Sequence, residues 1–412
     1  MRSLLFFLIL PTLAMAQGTS PLSLREAELL WQEHSHELRL GQAAVAGAAA
    51  DVTAAGQIPN PDVSLNMLSI SPWSGYGAGP WKDKKMDTQL RLDQLIERGS
   101  KRELRVKSAA ARLDAARFDL DDAARQQLGL LRYAYYNLRL AQERLVLAQE
   151  SAALYGKSAE AGKLRKKAGD IAPVDLSRLQ IDQARADSDA RQALTELQQA
   201  RQALAYLIGR EAEAESLVAA DSWPALEALA LAQAPLEQRP DLEAASRRLQ
   251  AAEAERDLAK AKKSRDVTLG VQYEHNMQNA PTNSYGFGVS LPLFIWHEYE
   301  GEIARSEADL DVARRQLEQL QAQATGQVAQ ARNALLSARD RYQRLEGGLL
   351  ADAERVAKAA EFAYGKGAMG LMDLLDARRT LRQIQIEAAS ARADYAKALS
   401  DWQIQAEFRK AK

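Results

Sequence analysis

From Lys101 to Lys166 the chain contains no proline. Along that run a stripe recurs at Leu113, Ala116, Leu120, Ala124, Gln127, Leu131, Ala134, Leu138, Ala141, Leu145 and Ala148. Steps that alternate three and four are the seam of a coiled coil. Leucine alternating with alanine lets neighbouring helices approach closely. A single helix of roughly 65 residues extends ~100 Å at 1.5 Å rise per residue, too long for the core of an ordinary compact domain.

The second half repeats the device between about Glu302 and Tyr364, with Leu310, Ala313, Leu317, Leu320, Ala324, Val328, Ala331, Leu335, Ala338, Tyr342 and Leu345 in the stripe. Gly347-Gly348 is expected to kink or interrupt that helix. Two shorter helices are expected over Pro173–Ile208 and Leu371–Glu407, and helical patterns also fill Leu24–Ala55 and Pro240–Lys263. Apolar residues make up 47% of the chain and aromatics 6%, so alanine and leucine rather than bulky side chains carry the helix contacts.

Four short segments break the helical rhythm with a period of two: Asp62–Met67, Met86–Asp93, Val267–Glu274 and Tyr285–Leu291. Alternation of this kind suits a sheet with one apolar and one wet face. The four read as two hairpins, joined by Ser71–Lys85, which is rich in Gly, Pro, Trp and Tyr, and by His275–Ser284, with Asn276, Asn279, Pro281 and Asn283 as turn residues.

The N-terminus reads as an export signal over residues 1–16: Arg2, the apolar run Leu4–Leu10, then Ala14-Met15-Ala16 before Gln17. The run falls short of the ~20 apolar residues a spanning helix needs, and no other long uncharged apolar run follows. Two isolated hairpins are marginal in water. In an exported chain they fit an outer-membrane barrel, which must close so that no strand edge is left open. The smallest such barrels have about eight strands, so four per chain require a barrel shared between subunits. Trp73, Trp81 and Trp296 then fall where an interfacial aromatic belt would lie. A small soluble sheet capping a coiled coil is the other structure this pattern fits.

The two halves resemble each other. Asp62-Val63-Ser64-Leu65 matches Asp266-Val267-Thr268-Leu269, and Gly169-Asp170-Ile171-Ala172-Pro173-Val174-Asp175-Leu176 matches Gly367-Ala368-Met369-Gly370-Leu371-Met372-Asp373-Leu374. In both turns glycine ends one helix, and an aspartate falls in the first turn of the next, where the helix dipole favours it. The expected organisation is a first repeat over 17–208 (short helix, hairpin at about 61–95, long helix, turn at 167–175, return helix). A collar segment over 209–239 contains Trp223, Pro224 and Pro235. A second repeat over 240–412 has its hairpin at about 265–294 and its turn at 365–373.

These features together resemble the TolC family of trimeric outer-membrane efflux ducts, and the resemblance covers nearly the whole mature chain. It is carried by Gln238-Arg239-Pro240-Asp241-Leu242 with Ala245 and Leu249, by Ser290-Leu291-Pro292-Leu293-Phe294, and by the two Gly-to-Asp turns. Gln94-Leu95-Ile96-Glu97-Arg98-Gly99-Ser100-Lys101-Arg102 resembles the "Q-x-I-E-x-G-G-K-R" run of the heavy-metal (cobalt–zinc–cadmium type) branch, with Ser100 in place of the second glycine and Leu95 in place of a common proline. Pro59-Asn60-Pro61 also fits that branch.

The resemblance implies a mainly α fold with a β part: a homotrimer whose four strands per chain make a shared twelve-stranded barrel in outer-membrane lipid. That barrel would continue into a periplasmic α-helical coiled-coil tunnel. It implies docking of a periplasmic adaptor (a membrane fusion protein) and an RND-type inner-membrane pump at the helix tips, with Gly169, Asp170, Pro173, Asp175, Gly367, Gly370 and Asp373 shaping the tips and the gate. Rings of carboxylates at a trimeric pore would favour cations. The rival reading, from a different class, is a soluble periplasmic coiled-coil scaffold.

Chemistry of other kinds finds no support in the sequence. There is no cysteine, which removes disulfides, thiolate metal sites and cysteine nucleophiles. Lys plus Arg number 54 against 55 Asp plus Glu, so no nucleic-acid partner is expected. His34-x-His36 would not share a helix face, and His297 beside Trp296 suits a membrane boundary. Gly75-x-Gly77-x-Gly79 precedes no helix, and no G-x-S-x-G, H-E-x-x-H or phosphate loop occurs. The chain is expected to be no enzyme, to hold no metal of its own and to need no cofactor.

Overall fold

The chain is described as a computed structural model over residues 20–70, 86–226, 236–277 and 281–406. The expected export signal over 1–16, Trp73, Trp81 and the Gly75–Gly79 loop lie outside the described residues. Helices dominate, and a four-stranded sheet is the main β element.

In chain order the elements are β1 (Ser20–Leu22), α1 (Leu24–His34), α2 (His36–Ala55), β2 (Asp62–Leu68), β3 (Asp87–Ile96), α3 (Lys101–Ala168) and α4 (Pro173–Ile208). There follow β4 (Leu217–Ala219), α5 (Pro240–Ala261), β5 (Val267–Asn276), β6 (Thr282–Ser290), α6 (Glu300–Arg344), α7 (Leu350–Gly365) and α8 (Leu371–Ala406). α3 is an unbroken 68-residue helix. Among the described residues no helix is long and apolar enough to cross a membrane.

By contacts the chain divides into two units. The first is drawn from the described residues of Met1–Leu38, Ala124–Ala234 and Gly326–Lys412, the second from Arg39–Ala123 and Pro235–Thr325.

In the first unit the Leu131, Ala134, Leu138, Ala141 and Ala148 stripe of α3 is buried, as its spacing requires. The first four pack with Trp31, Leu197, Leu204 and Ile208. Two three-residue strands, β1 and β4, pair in parallel. The Tyr135 hydroxyl lies 3.0 Å from both the Leu22 carbonyl and the Asp221 carboxylate, and Leu24 N–H donates to that carboxylate at 2.7 Å. Burial pushes the Tyr135 pKa up.

Trp223 of the expected collar donates to Glu143 at 2.8 Å and stacks on Tyr136 at 6.1 Å between ring centroids. Glu143 also accepts from Arg392, whose guanidinium reaches Glu346 as well. Glu346 sits in a wide helical turn, Leu345–Leu349, where Gly348 has φ +158°. The glycine pair therefore breaks the helix between α6 and α7.

One sequence expectation needs correction. Leu24–Ala55 is not one helix but is divided at Ser35 (φ −56°, ψ 123°), whose N–H caps Trp31 O at 2.9 Å and whose hydroxyl accepts from Leu38 N–H at 3.4 Å. A serine that caps in both directions competes with the helix ladder. Consequently His34 ends one helix and His36 starts the next.

In the second unit the buried positions of α3 are Lys101, Ser108, Ala111 and Ala115, and the seam residues Leu113, Ala116 and Leu120 are half-buried. α3 is gripped there from two sides. Ser108 donates to Glu255 of α5 at 2.9 Å, while Leu120 packs so close to Gly41 of α2 that a Cβ on Gly41 would lie 2.7 Å from its Cδ1. Along α6 and the turn that follows it, all eleven stripe residues are likewise buried or half-buried.

The two hairpins join into one antiparallel sheet in the order β2-β3-β5-β6. Its central pairing aligns Thr88–Ile96 with Val267–His275. The link from β3 to α3 is a tight reversal: Gly99 and Ser100 both have positive φ, +73° and +56°. A Cβ on Gly99 would lie 2.6 Å from Ser264 Oγ. Lys101, 9% exposed, donates to Ser264 O and Asp266 Oδ1 at 2.8 Å each, and Arg98 N–H donates to the same carboxylate at 2.9 Å.

Candidate functional site

Both Gly-to-Asp turns lie in the first unit and are built alike. At the end of α3, Gly169 (φ +84°) donates to Lys166 O at 3.1 Å and Asp170 N–H donates to Arg165 O at 2.9 Å. At the end of α7, Gly367 (φ +76°) donates to Tyr364 O at 3.0 Å and Ala368 N–H to Ala363 O at 2.8 Å. This is the Schellman closure, which satisfies helix-end carbonyls and needs a left-handed residue.

The returning helices start differently. Pro173 takes the first position of α4, where its missing N–H costs nothing, and Asp175 in that first turn lies 3.7 Å from Arg178. α8 begins after Gly370. A Cβ there would stand 3.3 Å from Asp373 Oδ2, so the carboxylate folds back over the turn. Asp170 is exposed and sits in the turn itself. Gly169, Asp170, Pro173 and Asp175 thus form one turn, and Gly367, Gly370 and Asp373 form the other.

Helices α3, α4, α7 and α8 pack together beneath these turns. Tyr155, Ala159, Leu179, Ala186 and Leu375 form the apolar cluster. Gly162 allows α4 to close in, since a Cβ there would lie 2.6 Å from Leu179 Cδ1. A cavity of about 230 Å³ lies among them, lined in part by Ser158, Arg165, Glu361, Tyr364 and Arg378.

Three arginines of α8 staple the bundle. Arg378 donates to Ser158 Oγ at 2.8 Å and Glu361 at 3.0 Å. Arg379 donates to Asp182, and Arg382 donates to Asp189 at 2.6 Å. The bond to Asp182 holds the Arg379 pKa up, and burial raises that of Tyr155. Reading the sequence missed this ladder. Its trace is there: Asp182 and Asp189 stand seven apart on α4, one coiled-coil repeat, and Arg379 and Arg382 stand three apart on α8.

In the second unit the sheet has two unlike faces. Val63, Leu65 and Met67 on β2, Leu90 and Leu92 on β3, Leu269 and Val271 on β5, and Tyr285, Phe287 and Val289 on β6 share one face through the strand register. All ten side chains are exposed, Phe287 to 90%. Trp296, just beyond the sheet, is 93% exposed.

The opposite face is polar. Gln89 donates to Gln272 at 3.1 Å and Arg91 to Asp93 at 2.7 Å. Gly270 and Gly288 leave room for the Arg91 guanidinium to lie over the sheet. Among the described residues neither outer edge of the sheet, on β2 or β6, has a strand partner.

No group of three or more His, Asp or Glu side chains gathers as a metal site among the described residues. His36 instead lies tilted against Tyr206, 6.3 Å between ring centroids, and His297 lies 3.2 Å from Glu302.

The comparisons with known proteins agree with one another. The outer membrane efflux protein family matches residues 30–210 and 231–401. The cobalt-zinc-cadmium resistance protein CzcC of Cupriavidus metallidurans is 27% identical over 375 residues, 90% of this chain and 86% of that protein. Among solved structures, the outer membrane protein VceC of Vibrio cholerae superposes with a TM-score of 0.76 at 20% identity, covering 93% of this chain and 95% of the other. The CmeC outer membrane channel of Campylobacter jejuni superposes at 0.78 with 17% identity, covering 94% and 87%.

Proposed function

The chain belongs to the outer membrane efflux protein family, and from that premise we propose that it is the exit duct of a tripartite efflux system carrying divalent heavy-metal cations. As a member of that family it is an outer-membrane efflux channel with a periplasmic helical part. The carrying observation is the sheet: a broad apolar face lies open beside two strand edges that have no partner among the described residues. In water such a sheet invites aggregation. In a bilayer the apolar face meets lipid, and the edges are satisfied only when sister chains pair across them. Three copies of a four-stranded sheet close a twelve-stranded barrel, with the Arg91 face toward the lumen and Trp296 at the lipid boundary.

The two turns are the adaptor-docking and gating end. Conduction is passive; energy comes from the inner-membrane pump, of the RND type, and the solute undergoes no chemistry. Metal as cargo is supported by the similarity to CzcC, which confers cobalt, zinc and cadmium resistance. A duct passes its cargo through water and needs no resident metal site.

The test is complementation of a deletion strain challenged with cobalt, zinc and cadmium salts. Wild type restores growth; Gly367→Pro and Asp373→Ala fail to, while still inserting in the outer membrane. Normal resistance in both variants removes the turn assignment. Resistance to drugs rather than metals, restored by the same gene, removes the metal reading and keeps the duct.

A further inference from the structure

The apolar face of the sheet runs on past its last ladder pair. β6 ends at Ser290, opposite Thr268, yet Leu291, Leu293 and Ile295 repeat the spacing of Tyr285, Phe287 and Val289. All three are exposed, Leu293 to 67% and Ile295 to 63%, and the exposed Trp296 follows them. A contiguous exposed apolar run marks a surface that something covers.

The chain beside it is cationic. Lys262-Lys263-Ser264-Arg265 links α5 to β5, and all four residues are exposed. The Arg265 guanidinium lies 5.3 Å from the centre of the Phe294 ring, which holds the basic link against the apolar run. Arg98, just past β3, joins the same junction, since its N–H is bonded to Asp266.

Most acids that could neutralise these cations are taken. Asp266 is bound to Lys101, Glu97 to Arg105, Glu302 to His297 and Glu307 to Lys260. Glu300 falls in the first turn of α6, where the helix dipole favours it. Glu298 is the exposed acid that remains at this junction among the described residues. Among those residues no ion pair or hydrogen bond engages the side chains of Arg98, Lys262, Lys263 or Arg265.

We propose that this junction binds an anionic phospholipid of the periplasmic leaflet. Leu293, Ile295 and Trp296 lie among its acyl chains, while Lys262, Lys263 and Arg265 hold the phosphate of its headgroup. This rests on the reading of the sheet as a barrel in lipid. The helical part of the family is periplasmic, and the junction is the end of the sheet that joins the helices, so the leaflet is the one facing the periplasm. Continuity with the lipid-facing side of the sheet favours a lipid over a protein, and the surplus of cations favours an anionic head. Lysine and arginine suit such a boundary because their stems lie along apolar surface while the charge reaches outward.

The experiment uses the full-length protein, delipidated in a neutral detergent, with dimyristoylphosphatidylglycerol and dimyristoylphosphatidylcholine as probes and native mass spectrometry to count the lipids retained. Wild type binds the anionic lipid about tenfold more tightly than the zwitterionic one. Lys262→Gln, Lys263→Gln and Arg265→Gln combined bring the two within about twofold, and each single variant lowers the ratio by part of that. Arg314→Gln, at an exposed site about 21 Å along α6 from Glu300 at 1.5 Å per residue, leaves the ratio unchanged. Trp296→Ser weakens both lipids alike.

Equal affinity of wild type for the two lipids overturns the proposal, as does an Arg314→Gln effect as large as that of the triple variant. So does displacement of the anionic lipid by millimolar glycerol 3-phosphate, which assigns the cations to a free phosphate. A periplasmic protein that co-purifies with wild type and is lost from the triple variant, while lipid binding is not, assigns the patch to a protein and overturns it too. The state of the chain separates the two levels. A membrane-bound trimer that binds both lipids alike removes this inference alone; a single chain released from the periplasm without detergent removes the barrel as well.

Discussion

Arg379 of α8 donates from one nitrogen to both carboxylate oxygens of Asp182 on α4, at 2.7 Å each. Asp182 is only 6% exposed, so it depends on that guanidinium far more than the half-exposed arginine depends on it. With the Arg378 and Arg382 contacts, this bond fixes how α8 lies against α4, and hence how the two turns are held.

Removing the arginine strands the buried acid. Arg379→Met is expected to cost about 1–3 kcal/mol, read as a lower midpoint when the detergent-solubilised protein is heated. Asp182→Asn keeps part of the hydrogen bonding and costs less. A loosened bundle also leaks, so Arg379→Met raises basal conductance in planar bilayers. Unchanged melting and conductance contradict the stapling role.

The turn glycines pose a purely conformational test. Gly169 and Gly367 lie at φ +84° and +76°, and a Cβ at either meets nothing within 4 Å. Gly169→Ala and Gly367→Ala therefore each cost about 1–2 kcal/mol through left-handed backbone alone. Gly169→Asn costs clearly less, because asparagine tolerates that region. Equal losses for alanine and asparagine point instead to a steric role.

At the sheet-to-helix reversal the same logic runs in both directions. Ser100 has φ +56°, so Ser100→Gly relieves strain and is expected to gain about 0.5–1 kcal/mol after the entropy of the added glycine. Gly99→Ala fails on two counts, a positive φ and a Cβ 2.6 Å from Ser264 Oγ. Its outer-membrane yield drops sharply while that of Ser100→Gly rises.

Acid sensitivity has a named contributor. Glu97 is held below its ordinary pKa of 4.5, chiefly by its hydrogen bonds to Arg105. A carboxylate whose folded pKa is depressed stabilises the fold above the unfolded value and loses that contribution as pH falls through the folded value. Glu97→Gln thus lowers stability at pH 7, and its difference from wild type shrinks below about pH 4.5. A difference independent of pH contradicts the pairing.

The sequence carried the helices well where their signals are local. Pro173 and Gly209 bracket α4 at the ends the structure has, Pro173–Ile208. The α6 stripe is buried or half-buried at every position because one face of that helix meets neighbours along its whole length. The α3 stripe is likewise buried or half-buried at every position, with full burial beginning at Leu131. Nearer its start the helix serves two partners, α5 through Ser108 and α2 through Leu120, and a single stripe cannot express two contacts.

What escaped depends on distant partners. The pairing of β3 with β5 joins residues about 180 positions apart, and nothing within either hairpin announces it. β1 and β4 are too short for periodicity to register and exist because each completes the other. The break at Ser35 turns on a single hydroxyl. Both candidate turns were legible from Gly and Asp spacing, but the α8 arginines that hold them become visible only when α4 and α8 are seen side by side.

The central claim is that a four-stranded sheet with two open edges and an apolar face is completed by sister chains in lipid. The direct measurement is the mass of the protein extracted from outer-membrane fractions, by light scattering corrected for detergent. Three chains per particle, released only by detergent, are the expected result. A single chain, recovered in the periplasmic extract without detergent, contradicts it.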